Sequence, residues 1–226
     1  NMIKDGDKIA VGISGGKDSL CLLAALSEMR RFFPYKYELE AITVSLGFNE
    51  TDYSGVKSFC DKLGVNYTVV DTQIGRIIFD ERKEENPCSL CAKMRKGALN
   101  NAAEELGCNK IALGHNKNDV IETFLMSLIF EGRISCFSPV SFLEKKKLYS
   151  IRPLIYVSEY ETKSYADSLG SIIVKNPCPA DGSTKRQEIK ELLKTLNKTY
   201  PNLNQRIFGA VTRSLDDWKR GGVNGR

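Results

Sequence analysis

The chain has one histidine, a single Cys-x-x-Cys pair, and no apolar run near the roughly eighteen residues that cross a bilayer. The missing apolar run argues against a membrane-spanning helix. No charged segment followed by an apolar one opens the sequence as a secretory signal would, so a cytoplasmic protein with no membrane partner is expected. Seven cysteines, an odd number scattered through such a chain, argue against a disulfide framework. With one histidine and no second Cys-x-x-Cys, a closed four-ligand zinc site is hard to assemble. There is neither an internal repeat nor a low-complexity linker. The 226 residues suffice for a full core, and one domain over 1–226 is the economical reading.

What is present begins with Ser14-Gly15-Gly16-Lys17-Asp18-Ser19, set between an apolar run ending at Ile13 and the helix-forming Leu20-Cys21-Leu22-Leu23. This reads as strand, glycine turn, helix. Adjacent glycines let the backbone turn tightly and bring amide N–H groups up to an anion without a Cβ in the way. A helix starting near Asp18 aims its positive end at the same spot, which suits a phosphate. Lys17 adds a charge, and the hydroxyls of Ser14 and Ser19 add donors. The glycines touch, so this is not the Walker A spacing. The segment resembles the pyrophosphate loop of the PP-loop ATP pyrophosphatases, which implies cleavage of ATP to AMP and pyrophosphate.

Along the chain, strands are expected at 8–13, 37–46, 66–71, 110–114 and 171–175, with a hairpin of 136–143 and 148–152. Helices are expected at 18–33, 52–63, 89–106, 119–130, 159–169, 184–197 and 202–218. Alternation of this kind predicts an α/β fold with a doubly wound, mostly parallel sheet, whose ligands bind beyond the carboxyl ends of the strands. The loops at 14–19, 45–49 and 115–119 would then share one crevice. Candidate nucleotide contacts are Ile13, Ser14, Gly15, Gly16, Lys17, Asp18, Ser19, Val44, Gly114, His115 and Asp119. From 183 to the end there are ten basic and four acidic residues, a surplus of six, so the rest of the chain carries −1 of the total +5. Such a basic helical tail suits a polyanion partner as well as it suits a merely solvated face.

Cys88 and Cys91 sit three apart at an expected helix start, beside Lys93 and Arg95, which should lower their thiol pKa values. Cys178, flanked by Pro177 and Pro179, is the other cysteine that looks exposed. Half a zinc site, a redox dithiol and a three-thiolate iron–sulfur site all remain open on spacing alone.

In order along the chain, Cys88-Ser89-Leu90-Cys91, Lys110-Ile111-Ala112-Leu113-Gly114-His115, Ile151-Arg152-Pro153-Leu154 and Pro177-Cys178 resemble the bacterial tRNA 2-thiocytidine synthetase family. The likeness runs from Asn1 to about Leu215. The resemblance implies an adenine nucleotide alpha-hydrolase-like fold and an ATP-dependent tRNA sulfurtransferase. Such an enzyme adenylates the C2 oxygen of an anticodon-loop cytidine, conventionally position 32, and replaces it with sulfur. It also implies a [4Fe-4S] cluster on Cys88, Cys91 and Cys178, Mg²⁺ with ATP, tRNA as substrate, a sulfur donor such as a cysteine desulfurase or free sulfide, and a homodimer. Asp18 and Asp119 would orient metal or phosphate, and His115 would orient nucleotide or stabilise charge. Arg152, Lys185 and Arg186 would hold tRNA phosphates. Two departures stand out: Asp181 occupies the place of the family's fourth thiol, and His115-Asn116-Lys117-Asn118-Asp119 replaces His-His-x-Asp-Asp. Thiolation of another pyrimidine, amine addition of the lysidine-synthetase type and a non-catalytic tRNA-binding metalloprotein are the rival readings.

Overall fold

The computed structural model describes residues 2–48, 51–82, 87–170, 178 and 184–219. Its strands are β1 (Asp7–Gly12), β2 (Tyr37–Ser45), β3 (Asn66–Asp71), β4 (Lys110–Ala112), β5 (Val140–Leu143) and β6 (Leu148–Ile151). They form one sheet in the order β3-β2-β1-β4-β6-β5. β1 lies in the middle, parallel to both neighbours, with Val11 opposite Ala41 on one side and Ala112 on the other. β6 continues the parallel run beside β4, and only β5 runs antiparallel, as the outer strand of the expected hairpin. The doubly wound, mostly parallel sheet read from the sequence is what the chain forms; the expected strand at 171–175 lies outside the described residues.

β1 is buried on both faces, as a central parallel strand must be. Its alternation sends Ile9 and Val11 into one core with α1 (Lys17–Met29) and α2 (Ser54–Lys62). Ala10 faces the other core, beneath α4 (Pro87–Glu105). Between them in sequence, α3 (Ile74–Arg76) runs into a π-helical turn (Ile77–Glu81) that was not expected. Gly75 makes this possible, because a Cβ there would meet the Phe48 ring at 2.6 Å. A buried ion pair, Lys110 Nζ to Asp7 Oδ2 at 2.5 Å, with Asn109 on the other Asp7 oxygen, joins the start of β1 to β4.

A third core lies off the sheet. α5 (Lys117–Glu131), α7 (Lys185–Thr199) and α8 (Leu203–Ser214) meet there through Val120, Ile121, Ile189, Leu193, Phe208 and Val211, closed by Trp218 on α9 (Asp216–Lys219). Ile189 and Leu193 are four apart and Phe208 and Val211 three apart, so each pair makes one helical stripe. The basic helical tail is therefore docked by its apolar face onto α5. The helix expected over 202–218 breaks at Leu215, whose backbone is extended. α6 (Glu159–Ser168) packs against α1 and completes the crevice side of the molecule.

Candidate active site

The 14–19 loop leaves the carboxyl end of β1 and turns at once into α1. Gly15 takes the left-handed conformation, φ +77°, open to glycine and strained for other residues. Ser19 holds the turn shut: its Oγ donates to the Gly16 carbonyl at 2.8 Å and accepts the Ser14 amide at 3.2 Å. Ser14 Oγ accepts the Gly16 amide at 3.3 Å. The two serines thus shape the loop. No side chain caps α1, whereas Asn116, Ser158 and Thr184 cap α5, α6 and α7. Ser19 and Leu20 donate their amides to the Gly16 carbonyl, which leaves the Lys17 and Asp18 amides, ahead of the first i→i−4 bond, with the Gly15 turn as the part of the loop suited to an anion.

The loop after β4 comes up against that turn. A Cβ on Gly114 would stand 3.0 Å from the carbonyl carbon and oxygen of Asp18 and 3.1 Å from the Ser19 amide, so only glycine fits without moving the loop. Asn116, next along, caps α5 and donates through its side-chain amide to Asp18 Oδ1 at 3.2 Å. Asp119 completes a capping box, with Oδ2 accepting the Asn116 N–H at 2.9 Å. Asn118 Oδ1 accepts the Glu159 amide at 3.1 Å. Both residues that depart from the family pattern are thereby in structural use. Thr162 on α6 also donates to Asp18 Oδ1. The expected meeting of the 14–19 and 115–119 loops is observed, and α6 is the third wall. Val44 lies two residues past Ile42, which faces Gly12, and the Ile13 amide bonds the Ile42 carbonyl. Residue 49 of the expected third loop lies outside the described residues.

A chain of alternating charges lines this crevice. Lys17 Nζ is 3.2 Å from Asp18 Oδ2 and 2.9 Å from Glu159 Oε1. Lys190 is 3.4 Å from the same Glu159 oxygen and 3.7 Å from Glu122 Oε1. Arg186 Nη1 lies 2.9 Å from Glu122 Oε2 and 3.5 Å from Asp119 Oδ1. Burial pushes the Asp119 carboxyl above its usual range, against the pull of the Asn116 amide and Arg186. Burial does the same to Glu122, restrained by Arg186 and Lys190.

His115 stacks on Phe137 with ring centroids 4.7 Å apart, and its Nδ1 has no hydrogen-bond partner among the described residues. Burial, aided by Arg152 and Arg186, drives its pKa down to about 3, so the ring is neutral at physiological pH and offers no positive charge. Of the two roles expected of it, a neutral ring suits orienting nucleotide and not charge stabilisation. Arg152 is not on an RNA-facing surface. It is 7% exposed, donates to the Ser138 carbonyl at 2.6 Å and sits over the Phe137 ring. Arg186 points inward to Glu122. Lys185 is exposed, over the Phe130 ring. Glu159, Thr162, Glu122 and Lys190 went unnoticed in the sequence, although Ser158 followed three residues later by Glu161 is a capping-box signature that marks where α6 starts.

Cys88 is exposed at the start of α4, with Cys91 one turn on and Cys178 partly buried. The Cys91 thiol is pushed up by burial, which outweighs Arg95, and charges on Cys178 and Cys88 push it further. The lowered pKa expected at this helix start is thus reversed for Cys91. Cys88 and Cys178 thus both lie near enough to Cys91 for charge on either to be felt there. Among the described residues no group of three or more His, Cys, Asp or Glu is gathered tightly enough for a single metal ion. A cubic cluster binds each thiolate to a different iron, so its ligands stand farther apart than those of one ion, and an all-thiol set suits its chemistry.

A family model described as a PP-loop domain matches residues 1–196. Two curated proteins named tRNA-cytidine(32) 2-sulfurtransferase, from Pelobacter propionicus and Dichelobacter nodosus, are each 37% identical to this chain. Their alignments cover 93% and 95% of it and 80% and 81% of themselves. Among solved structures, the U34-tRNA thiolase NcsA from Methanococcus maripaludis with its [4Fe-4S] cluster superposes with a TM-score of 0.76 at 30% identity. It covers 94% of this chain and 72% of that one. An NH3-dependent NAD synthetase from Campylobacter jejuni, at 17% identity and a TM-score of 0.50, shares the fold over 99% of this chain and 90% of its own.

Proposed function

This chain belongs to the PP-loop domain family and, within it, to the tRNA-cytidine(32) 2-sulfurtransferases, and we propose that it uses ATP to exchange the C2 oxygen of an anticodon-loop cytidine for sulfur. The observation that carries this reading is the presence, on one chain, of the 14–19 turn closed by Ser19 and tied through Asp18 to Asn116, and of Cys88 and Cys91 at the start of α4 with Cys178 near Cys91. The cytidine C2 oxygen leaves poorly. Its attack on the α-phosphorus of ATP expels pyrophosphate and turns that oxygen into part of an AMP leaving group. Sulfide then adds at C2, the C2–O bond breaks and AMP departs, with no net redox change.

The chain's own residues divide this work. The uncapped first turn of α1, Gly15 and Lys17 receive the negative charge that builds on the departing pyrophosphate. Asp18, Asp119, Glu122 and Glu159 outnumber Lys17, Arg186 and Lys190 in the crevice, so Mg²⁺ carried in with ATP suits its charge, with Asp18 and Asp119 as protein-side partners. His115, neutral at physiological pH, would orient nucleotide or base by hydrogen bonding and not by charge. Cys88, Cys91 and Cys178 would hold a [4Fe-4S] cluster, which when bound supplies an iron with a free position for sulfide. Lys185 and the outer basic face of α7 and α8 would meet tRNA phosphates. Arg186 is better placed for the crevice, and Arg152 for the wall behind His115. A single domain over 1–226, cytoplasmic and homodimeric, with sulfur from a desulfurase or free sulfide, completes the reading.

A second reading is thiolation of a uridine. The likeness to a U34-tRNA thiolase favours it. The test of the shared chemistry is pyrophosphate release from ATP with and without unmodified tRNA. Release that requires tRNA supports the reading; release at the same rate without tRNA contradicts it.

A further inference from the structure

Lys17 is the only side-chain cation within the 14–19 loop, yet its ammonium is held from across the crevice by Glu159, 142 residues further along the chain. Asp18 already neutralises it from the neighbouring position. Glu159 is also firmly placed. Its amide donates to Asn118 Oδ1, and it opens α6 directly after the Ser158 cap, where the helix favours a carboxylate. The oxygen that meets Lys17 lies 3.4 Å from Lys190 on α7 as well, so two cations share one acceptor. Burial pushes the Glu159 carboxyl up, but bonds and charge from Lys17 and Lys190 together hold it below the usual carboxylate range.

We propose that Glu159 is a positioning residue that sets the affinity of the loop for pyrophosphate. It is the internal counter-ion that phosphate must displace from Lys17, and Lys190 draws it away when Lys17 turns. This rests on the reading of 14–19 as the pyrophosphate site. The consequence is a product that leaves: with Glu159 competing for Lys17, the loop does not retain pyrophosphate after ATP is cleaved. The same carboxylate ties the loop to α7, the first helix of the basic tail, so nucleotide occupancy and the tail's footing on α5 share one ion-pair chain.

The arrangement predicts effects of opposite sign, which a merely structural role for the pair does not. Binding of inorganic pyrophosphate to the full chain is measured by calorimetry for wild type, Glu159→Gln, Lys190→Gln and the double variant. Glu159→Gln should bind about two- to fivefold tighter, the worth of one partly exposed ion pair. Lys190→Gln should bind about twofold weaker, because Glu159 is then left to Lys17 alone, and that weakening should vanish in the Glu159→Gln background. In the tRNA-dependent reaction, Glu159→Gln should lower the KM for ATP more than it changes kcat. Unchanged or weaker binding by Glu159→Gln, or an undiminished Lys190→Gln effect in the double variant, overturns the proposal. A wild type that binds no pyrophosphate instead overturns the reading of the loop itself.

Discussion

Acidifying the solution from pH 7.5 to 5 should withdraw stability at His115. His115 is the only histidine, and burial beside Arg152 and Arg186 drives its pKa in the fold to about 3, against an ordinary value of 6.5. Between those values the unfolded chain binds a proton that the folded chain refuses, so stability falls as pH falls, by about 1.4 kcal/mol per pH unit. From 6.5 down to 5 the loss is about 2 kcal/mol, a large part of an ordinary domain's margin. Asp119 and Glu122 act in the opposite sense: burial raises their pKa values, so falling pH favours their folded, protonated forms. Comparison with His115→Gln subtracts those carboxylates. Urea unfolding of both proteins at pH 7.5, 6.5, 5.5 and 5 should show the wild type losing about 2 kcal/mol more than the variant. The single histidine Cε1 proton offers a direct check by NMR. Parallel stability curves, or a histidine resonance that titrates near 6.5, would refute the buried, neutral ring.

Other consequences follow from the same geometry. Gly114→Ala, which forces a Cβ onto the backbone of Asp18 and Ser19, should lower stability by about 1–3 kcal/mol and weaken pyrophosphate binding, read by unfolding and calorimetry. Asn116→Ala removes the cap of α5 and the amide on Asp18, so a loss of about 0.5–2 kcal/mol is expected, together with a raised KM for ATP. After anaerobic reconstitution the wild type should hold about four iron with matching acid-labile sulfide, and Cys178→Ala should lose them. Zinc alone in the wild type would remove the cluster from the account.

The sequence was readable where the chemistry is contiguous. Six residues, 14–19, carry the turn, the charge and the helix start together, and the alternating strands and helices around them predicted a mostly parallel sheet, though not its strand order. It was unreadable where partners lie far apart. Nothing near Lys17 points to Glu159, and nothing near Glu122 points to Arg186, so Arg186 was read as a contact to tRNA phosphate instead of a partner of Glu122. Arg152 misled for the same reason: its burial depends on Ser138 and Phe137 arriving from another segment. Asp119 was singled out as a site carboxylate, while its place three residues after an N-cap gives it a structural task as well. The turn at 74–81 carries Ile74, Ile77 and Ile78 at helical spacing, but over too short a stretch to stand out, and Gly75 near its start leaves room for Phe48.

The most direct measurement is mass spectrometry of nucleosides from unmodified tRNA incubated anaerobically with the reconstituted protein, ATP and sulfide. The expected product is 2-thiocytidine, formed in step with AMP and absent when ATP is omitted or Cys178 is replaced by alanine. Thiolated uridine in its place would move the assignment to another pyrimidine, and ATP consumption with no sulfur in any nucleoside would contradict sulfur transfer altogether.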